Sequence, residues 1–462
     1  RSSSSALRIA LSVVAVALSG LGVGLGVGTG RWPGGASSGL ARVRSASISV
    51  EICSSSFARV KSFTEKVVAG IMMRATMIAA VTVVDADKPR FGTSIGNAGH
   101  IVVSHSIPFA APGVVKSGLR SLLTQDGAFA LSNRPGQGTL DWLMGFARRC
   151  TEANVAAFHP GLEAVLRRSA ELLLSDGEID INTRGLWQVF TGAGAGERAD
   201  REAGHMRTHG VSVRDIDEAE LRAEPGLTDN VNAAIELTDD LGLDPAHLWM
   251  RMRQRGEQAG ARWMTGVVKD VRSSPTVRTA DGDVTLDADA IILAAGAWSP
   301  AVARSLDVDL PIRAAKGYSV TLPRSNTAPT RPMLLMDQRT AVNPLSDGLR
   351  LSARYEITSP DDRDIVRHRI PALIDRARIA LDLPTAPESV QPWTGVRPAS
   401  IDGAPYIGRL PQRGAQPVFV ATGHGMIGTA MATGTADLVT RLVYAEQISD
   451  AEARLGPQRL FA

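Results

Sequence analysis

The run from Ala288 to Pro300 (ADAIILAAGAWSP) constrains the fold of this chain more than any other stretch. Its strand shows no polar alternation, so both faces must be buried, as happens in a parallel sheet covered by helices. It runs into Ala295 and Gly296, and a helix is expected to begin near Ser299 and Pro300. Two further segments share this form. Val81 to Asp85 (VTVVD) reads as a buried strand ending in an acid. Pro417 to Val439 (PVFVATGHGMIGTAMATGTADLV) reads as a strand, a glycine turn and a helix, and its Gly423, Gly425 and Gly428 form the only G-x-G-x-x-G spacing in the sequence.

Other segments belong to a second architecture. The pieces AAKGYSVTLP, PMLLMDQ and GLRLSAR, between Arg313 and Arg354, read as antiparallel strands, and Gly185 to Thr191 as another. Gly266 to Val271 and Val277 to Leu286 alternate like a hairpin. Leu140 to Leu174 and Asp361 to Leu381 carry helical spacing, and Asp217 to Glu224 a short helix. Asp244-Pro245 is a helix start for the residues up to Gln258, because aspartate before proline satisfies free amides. At 462 residues the chain exceeds a single core. The expectation is an α/β (α+β) protein with two interleaved domains. A discontinuous Rossmann-like nucleotide-binding domain would comprise 67–100, 205–310 and 390–445. A substrate domain built on an antiparallel sheet would comprise 101–204 and 311–389.

Composition narrows the function classes. The formal net charge is +3, and the basic side is almost all arginine, interleaved with acids, so nucleic acid is not an expected partner. Only Cys53 and Cys150 occur, far apart, giving neither a disulfide framework nor a metal spacing, and fitting a reducing compartment. The eight histidines are dispersed, and no metal site is expected. Residues 1–66 differ in kind. Ile9 to Thr29 is uncharged and apolar, and three readings stand: a membrane-spanning helix, the core of a secretory signal, or a stretch foreign to the fold. Its glycines lower helix propensity and, repeating every second residue, form no phosphate loop. The expected location is the cytoplasm, with peripheral attachment to the inner face of the cell membrane left open.

The chemistry concentrates near the end. Trp393-Thr-Gly-Val-Arg397-Pro398 and Asp402-Gly403-Ala-Pro405 precede the glycine turn. An arginine beside a strand–glycine–helix unit offers two anion sites: a guanidinium for a carboxylate, and the positive end of a helix. That pairing suits a redox enzyme acting on an amino or imino acid.

Seven ordered pieces resemble one family: VTVVDA, TSIGNAGHI, AAPG with DWLMGFARRCT, IILAAGAWSP, AAKGYSVTLP, WTGVRPASIDGAPYIGR and ATGHGMIGTAMATG. They are similar to the D-amino-acid dehydrogenases, within the FAD-dependent amine oxidoreductases that include D-amino-acid oxidase and glycine oxidase. The resemblance runs from about Val81 to Leu442. It implies FAD as cofactor, hydride transfer from an amino-acid Cα to flavin N5, and hydrolysis of the imino acid to a 2-oxo acid and ammonia. It implies a small-molecule amino acid substrate and a quinone or other carrier as electron acceptor. A glycine or sarcosine oxidase-type enzyme is the alternative, and a non-catalytic remnant without FAD a third reading.

The resemblance also assigns residues. Arg397 would pair with the substrate carboxylate, against the rival reading of an ion pair bracing the domains. Tyr318, in the KGYS strand, would shape the pocket or merely fill the core, and His424 would lie close to the site. Ser94, Asn97, Ala98 and Gly99 would run beside the isoalloxazine ring, where small residues let backbone amides approach. Asp85 would bind the adenosine ribose. Val268 would contact adenine, and Ala295 and Gly296 would pass near the cofactor. Gly423, Gly425, Met426 and Gly428 would close over the flavin, with the helix N-terminus toward its N1–C2=O edge.

One part of the pattern is missing. Before Val81 the expected glycine fingerprint retains only Gly70, fifteen residues ahead of Asp85, where about 20 are usual. That leaves too little chain for a βαβ crossover, so the N-terminal unit reads as truncated. Either the segment is damaged, together with residues 1–66, or the chain has diverged and lost tight FAD binding. The first explanation is preferred, because the family pattern begins sharply at Val81.

Overall fold

A computed structural model of the protein describes residues 80–86, 92–122, 127–383, 390–411 and 416–461. Gly70, the segment before Val81 and the apolar run Ile9 to Thr29 lie outside these residues. Among the described residues no helix is long and apolar enough to cross a membrane.

The apolar runs form parallel pairings, in two separate pieces. Thr82–Asp85 pairs in parallel with Arg262–Thr265, and Ile291–Leu293 pairs in parallel with Val418–Thr422, which Tyr406–Arg409 extends antiparallel. Burial on both faces is visible along Ile291–Leu293. Ile292 packs into one core cluster with Leu162, Leu166 and Leu438, while Ile291 and Leu293 pack into another with Val302 and Leu306. Among the described residues no strand hydrogen-bonds the two parallel pieces together.

The second architecture is a nine-stranded sheet. Its path runs from Gln391–Ser400 through Ile312–Pro323, Gly348–Thr358, Thr340–Pro344, Met333–Leu335, Leu186–Thr191 and Val231–Leu237 to Val213–Asp215. Pairing is antiparallel apart from Met333–Leu335 on Leu186–Thr191 and Phe129–Leu131 on Gly348–Thr358. Helix Arg369–Ala377 covers one face of Ile312–Pro323 with Ile370, Leu373 and Ile374.

Pairing and packing run across the expected domain division. Val213–Asp215, Val231–Leu237 and Gln391–Ser400 belong to the large sheet by their main-chain hydrogen bonds, although the sequence grouped them with the nucleotide-binding half. Conversely, helix Glu152–Leu174 packs on the C-terminal helix Ala432–Val443, where Ser169 Oγ lies 2.8 Å from Thr433 Oγ1. Pairing and packing partners fix membership, and neither follows from periodicity. The long helical run splits into Thr139–Arg149 and Glu152–Leu174, with Thr151 capping the second through Asn154 N. The segment Asp361 to Leu381 is helical only over Arg369–Ala377. Asp244 accepts from Ala246 N at 2.7 Å and starts the helix Pro245–Gln258, as aspartate-proline predicts.

Candidate active site

Three segments distant in sequence converge at the edge of the large sheet. Thr93 Oγ1 donates to Val396 O at 2.7 Å, tying the loop 92–99 to the strand Gln391–Ser400. Asn97 Nδ2 donates to Thr429 Oγ1 at 2.6 Å, tying the same loop to the glycine turn. Gly425 N donates to Pro398 O at 2.9 Å, closing the triangle. These three bonds join the segments that carry the expected residues Ser94, Asn97, Ala98, Gly99, Arg397, Gly423, Gly425 and Gly428.

The loop is held by its carbonyls. Arg350 Nη1 donates to Ile95 O at 2.6 Å, and Asn343 Nδ2 to Ala98 O at 2.8 Å. Asn97 Oδ1 accepts from Gly99 N at 2.7 Å, and Gly99 adopts φ 78°, the left-handed region open to glycine. Gly96 lies against the Trp393 indole with no room for a side chain.

Arg397 lies between Val396 and Pro398, whose carbonyls accept two of those three bonds. Its Nη1 donates to Arg354 O at 2.8 Å, its guanidinium lies on Gly317, and it stands 6.0 Å from the Tyr355 ring. Among the described residues no carboxylate pairs with it. Burial pulls its pKa below the ordinary guanidinium value, yet arginine remains charged at physiological pH. A buried cation without a counter-ion is costly unless a ligand anion completes it.

The backbone beneath Arg397 is unusual. Lys316 faces Glu356, but Tyr318 faces Ala353, so Arg354 and Tyr355 form a bulge opposite Gly317. Arg354 takes φ 76°, a conformation costing a non-glycine residue about 1–3 kcal/mol. The bulge turns Arg354 O toward Arg397 and sets the buried Tyr355 beside Phe109, whose ring centroid is 4.9 Å away. Sequence reasoning missed Arg354, Tyr355, Phe109 and Trp393. No spacing in GLRLSARYEIT marks a bulge.

One expected residue stands on the other face of the sheet, and another lies within the glycine turn. Tyr318 lies on the opposite face of the sheet from Arg397, in the core beneath Arg369–Ala377, and is not brought to the site. Antiparallel pairing places Arg397 across from Ala315, so odd-numbered residues of that strand share its face. His424 is buried, with Nε2 3.1 Å from Thr435 Oγ1 in the C-terminal helix, and burial lowers its pKa to about 3. It is neutral near pH 7. Met426 is half exposed on the turn, and the helix begins at Ala432, four residues beyond Gly428.

The remaining assignments fall in two places. Gly296 takes φ 55°, its carbonyl accepts from Thr422 Oγ1 at 3.0 Å, and no atom lies within 4 Å of where a Cβ would stand. Ala295 beside it is fully buried. Asp85 ends its strand next to Thr265, its carbonyl accepting from Gly266 N at 2.9 Å, and Val268 is buried in the following strand. The strands that carry these two residues lie outside the large sheet that holds Arg397.

The residues fit a flat, polar-edged cofactor at the inner end. Ser94 Oγ is buried without a hydrogen-bond partner among the described residues. Open space adjoins Gly296, and beside Gly425 the nearest atom to a built Cβ is Tyr355 Oη at 4.0 Å. The fingerprint that would cradle a pyrophosphate lies outside the described residues. Among the described residues no group of histidine, cysteine, aspartate or glutamate could hold a metal.

A family model described as FAD dependent oxidoreductase matches residues 73–442. The chain is 30% identical over 395 residues to a D-amino acid dehydrogenase from Rhodopseudomonas palustris, covering 81% of this chain and 91% of the relative. It is 28% identical over 405 residues to a D-amino acid dehydrogenase from Cereibacter sphaeroides, covering 83% and 90%. Among solved structures it resembles glycine oxidase from Geobacillus kaustophilus, with a TM-score of 0.63, 20% identity, and 86% and 96% of the two chains covered.

Proposed function

The chain belongs to the family of FAD-dependent oxidoreductases, and from that premise we propose that it deaminates D-amino acids oxidatively to 2-oxo acids and ammonia. One observation carries the reading: Arg397 is a half-buried guanidinium with no carboxylate partner among the described residues, on the strand where three segments meet. The relatives named D-amino acid dehydrogenase support the substrate class.

When bound, FAD supplies a two-electron acceptor for the hydride leaving Cα. Ser94, Asn97, Ala98, Gly99, Gly296 and the turn Gly423 to Gly428 would hold its ring end, and Asp85 and Val268 its adenosine end. The protein's own part is to orient. Arg397 pairs with the substrate carboxylate in a water-poor setting where charge-assisted bonds are strong. Tyr355 and Phe109 provide an aromatic wall beside it. Fixing the carboxylate and one wall restricts the direction of the Cα–H bond, the main demand of this chemistry. His424, neutral and bonded to Thr435, is placed as a support of the turn rather than a proton acceptor.

Removing the charged partner of a desolvated carboxylate typically costs about 2–5 kcal/mol. Arg397→Ala should therefore raise KM for D-amino acids by orders of magnitude while leaving any bound flavin in place. An unchanged KM would refute the assignment. Electrons are proposed to pass to a quinone or other carrier, and stoichiometric peroxide formation in air would instead indicate an oxidase.

A further inference from the structure

Behind the sheet from Arg397 lies a second set of charges that the reaction does not touch. Lys316 is 1% exposed, with Nζ 2.8 Å from Asp362 Oδ2 and 3.7 Å from Glu356 Oε1. Asp362 also accepts from Thr358 Oγ1 at 2.6 Å and from Ser132 Oγ at 3.2 Å. Glu356 accepts from Arg354 Nε at 3.0 Å, and Arg354 Nη1 donates to Gly127 O at 3.0 Å. Asp362 and Glu356 are both nearly inaccessible. Fully buried charge of this density is a poor way to add stability, since desolvation offsets most of the attraction. It calls for another reason.

Arg354 supplies one. Its side chain belongs to this network, while its carbonyl belongs to Arg397. Between them stands a left-handed backbone that glycine would adopt freely and arginine does not. Strained residues persist where the surroundings over-determine them. Here the surroundings are Glu356, Gly127 and, behind Glu356, Lys316 and Asp362.

We infer that the Lys316–Asp362–Glu356–Arg354 network is a positioning device: it clamps the bulge so that Arg354 O and Tyr355 hold the Arg397 guanidinium in the orientation that receives a substrate carboxylate. Arg354 acts through Arg397, without touching substrate. The inference rests on the carboxylate role of Arg397.

The test uses benzoate as a carboxylate probe, its affinity read by calorimetry on the purified protein, alongside steady-state kinetics with a D-amino acid. Arg354→Gly suits the φ of the bulge and removes only the clamp, so the fold should persist. Benzoate affinity should fall about tenfold or more and KM rise in parallel, with kcat changing less than about threefold. Glu356→Gln keeps the shape but loses the charge and should give a smaller loss of the same kind. Arg354→Lys, which keeps the charge beside Glu356, should recover part of the affinity lost in Arg354→Gly. Unchanged benzoate affinity in both Arg354→Gly and Glu356→Gln would overturn the inference. So would equal losses for benzoate and for benzylamine, which carries no carboxylate, since these mean general loosening. Should Arg354→Gly fail to fold, Glu356→Gln alone decides. Arg397→Ala separates the two levels: if benzoate binds that variant undiminished, the carboxylate reading itself fails, whatever Arg354 does.

Discussion

Tyr355 is the residue whose contribution to the site is easiest to isolate. Its ring faces Arg397 at 6.0 Å, and burial pushes its hydroxyl pKa upward, so the phenol is neutral at any working pH. A cation over an aromatic face is worth about 0.5–2 kcal/mol when desolvated. Tyr355→Leu should therefore raise KM by about 2-fold to 30-fold, whereas Tyr355→Phe keeps the ring and should stay close to the parent. Equal effects of the two substitutions would show that the hydroxyl, not the ring face, matters. Arg397 was legible in the sequence because it stands in a segment, WTGVRPASIDGAPYIGR, that resembles the family, shortly ahead of the G-x-G-x-x-G turn. Tyr355 and Arg354 were not, because a single unpaired residue in an otherwise regular strand leaves no periodic trace.

At the scale of elements, the packing of the C-terminal helix on Glu152–Leu174 depends on one missing side chain. A Cβ on Gly434 would run into the Val165 carbonyl and stand 3.0 Å from Ser169 N, both backbone atoms that cannot rotate away. Gly434→Ala should destabilise by about 1–3 kcal/mol through overpacking. Gly204, inside helix Ala195–Thr208, is exposed, and no atom lies within 4 Å of its built Cβ. Gly204→Ala should therefore stabilise by about 0.5–1 kcal/mol. Denaturant melts of the two variants should move in opposite directions, and a shared sign would contradict this account of the helix pair. The helices and strands themselves were largely visible beforehand. Their grouping was not: Gln391–Ser400 and Val231–Leu237 join the large sheet through hydrogen bonds whose partners lie far away in sequence.

Across the whole molecule, four buried titratable groups set an acid-side stability slope. Burial lowers the pKa of His100 and His105 to about 4 each and of His424 to about 3. Their contribution is present above about pH 6.5, where unfolded histidine is neutral, and is lost as pH falls through the folded values. Asp240 runs the other way. Burial raises it to about 7, although Ser104 N and Oγ bond its two oxygens at 2.9 and 2.6 Å. Its contribution is present below the unfolded carboxylate range and lost as pH rises through about 7. Near pH 5 the unfolded chain holds three protons on these groups and the folded chain one. A net uptake of two protons on unfolding makes stability rise with pH by roughly 3 kcal/mol per unit between about pH 4.5 and 6. Urea titrations at about pH 5 and pH 6 measure the slope directly. A flat or falling profile would mean that the buried groups open to water before the fold does.

The sequence alone determined the class of fold, the FAD-dependent family and the arginine on which the proposed chemistry turns. Each of these is written in local signals: a strand apolar on both faces, glycines at fixed spacing, a guanidinium ahead of proline. The tertiary structure decided that Tyr318 faces away from Arg397 and that His424 is bonded into a helix. It also decided that a strained bulge beneath the site answers to a buried ionic network on the other side of the sheet. Strand alternation says that neighbours point to opposite faces but not which face meets the site. Pairing register says that, and register is fixed by partners remote in sequence, such as Ala315 and Arg397.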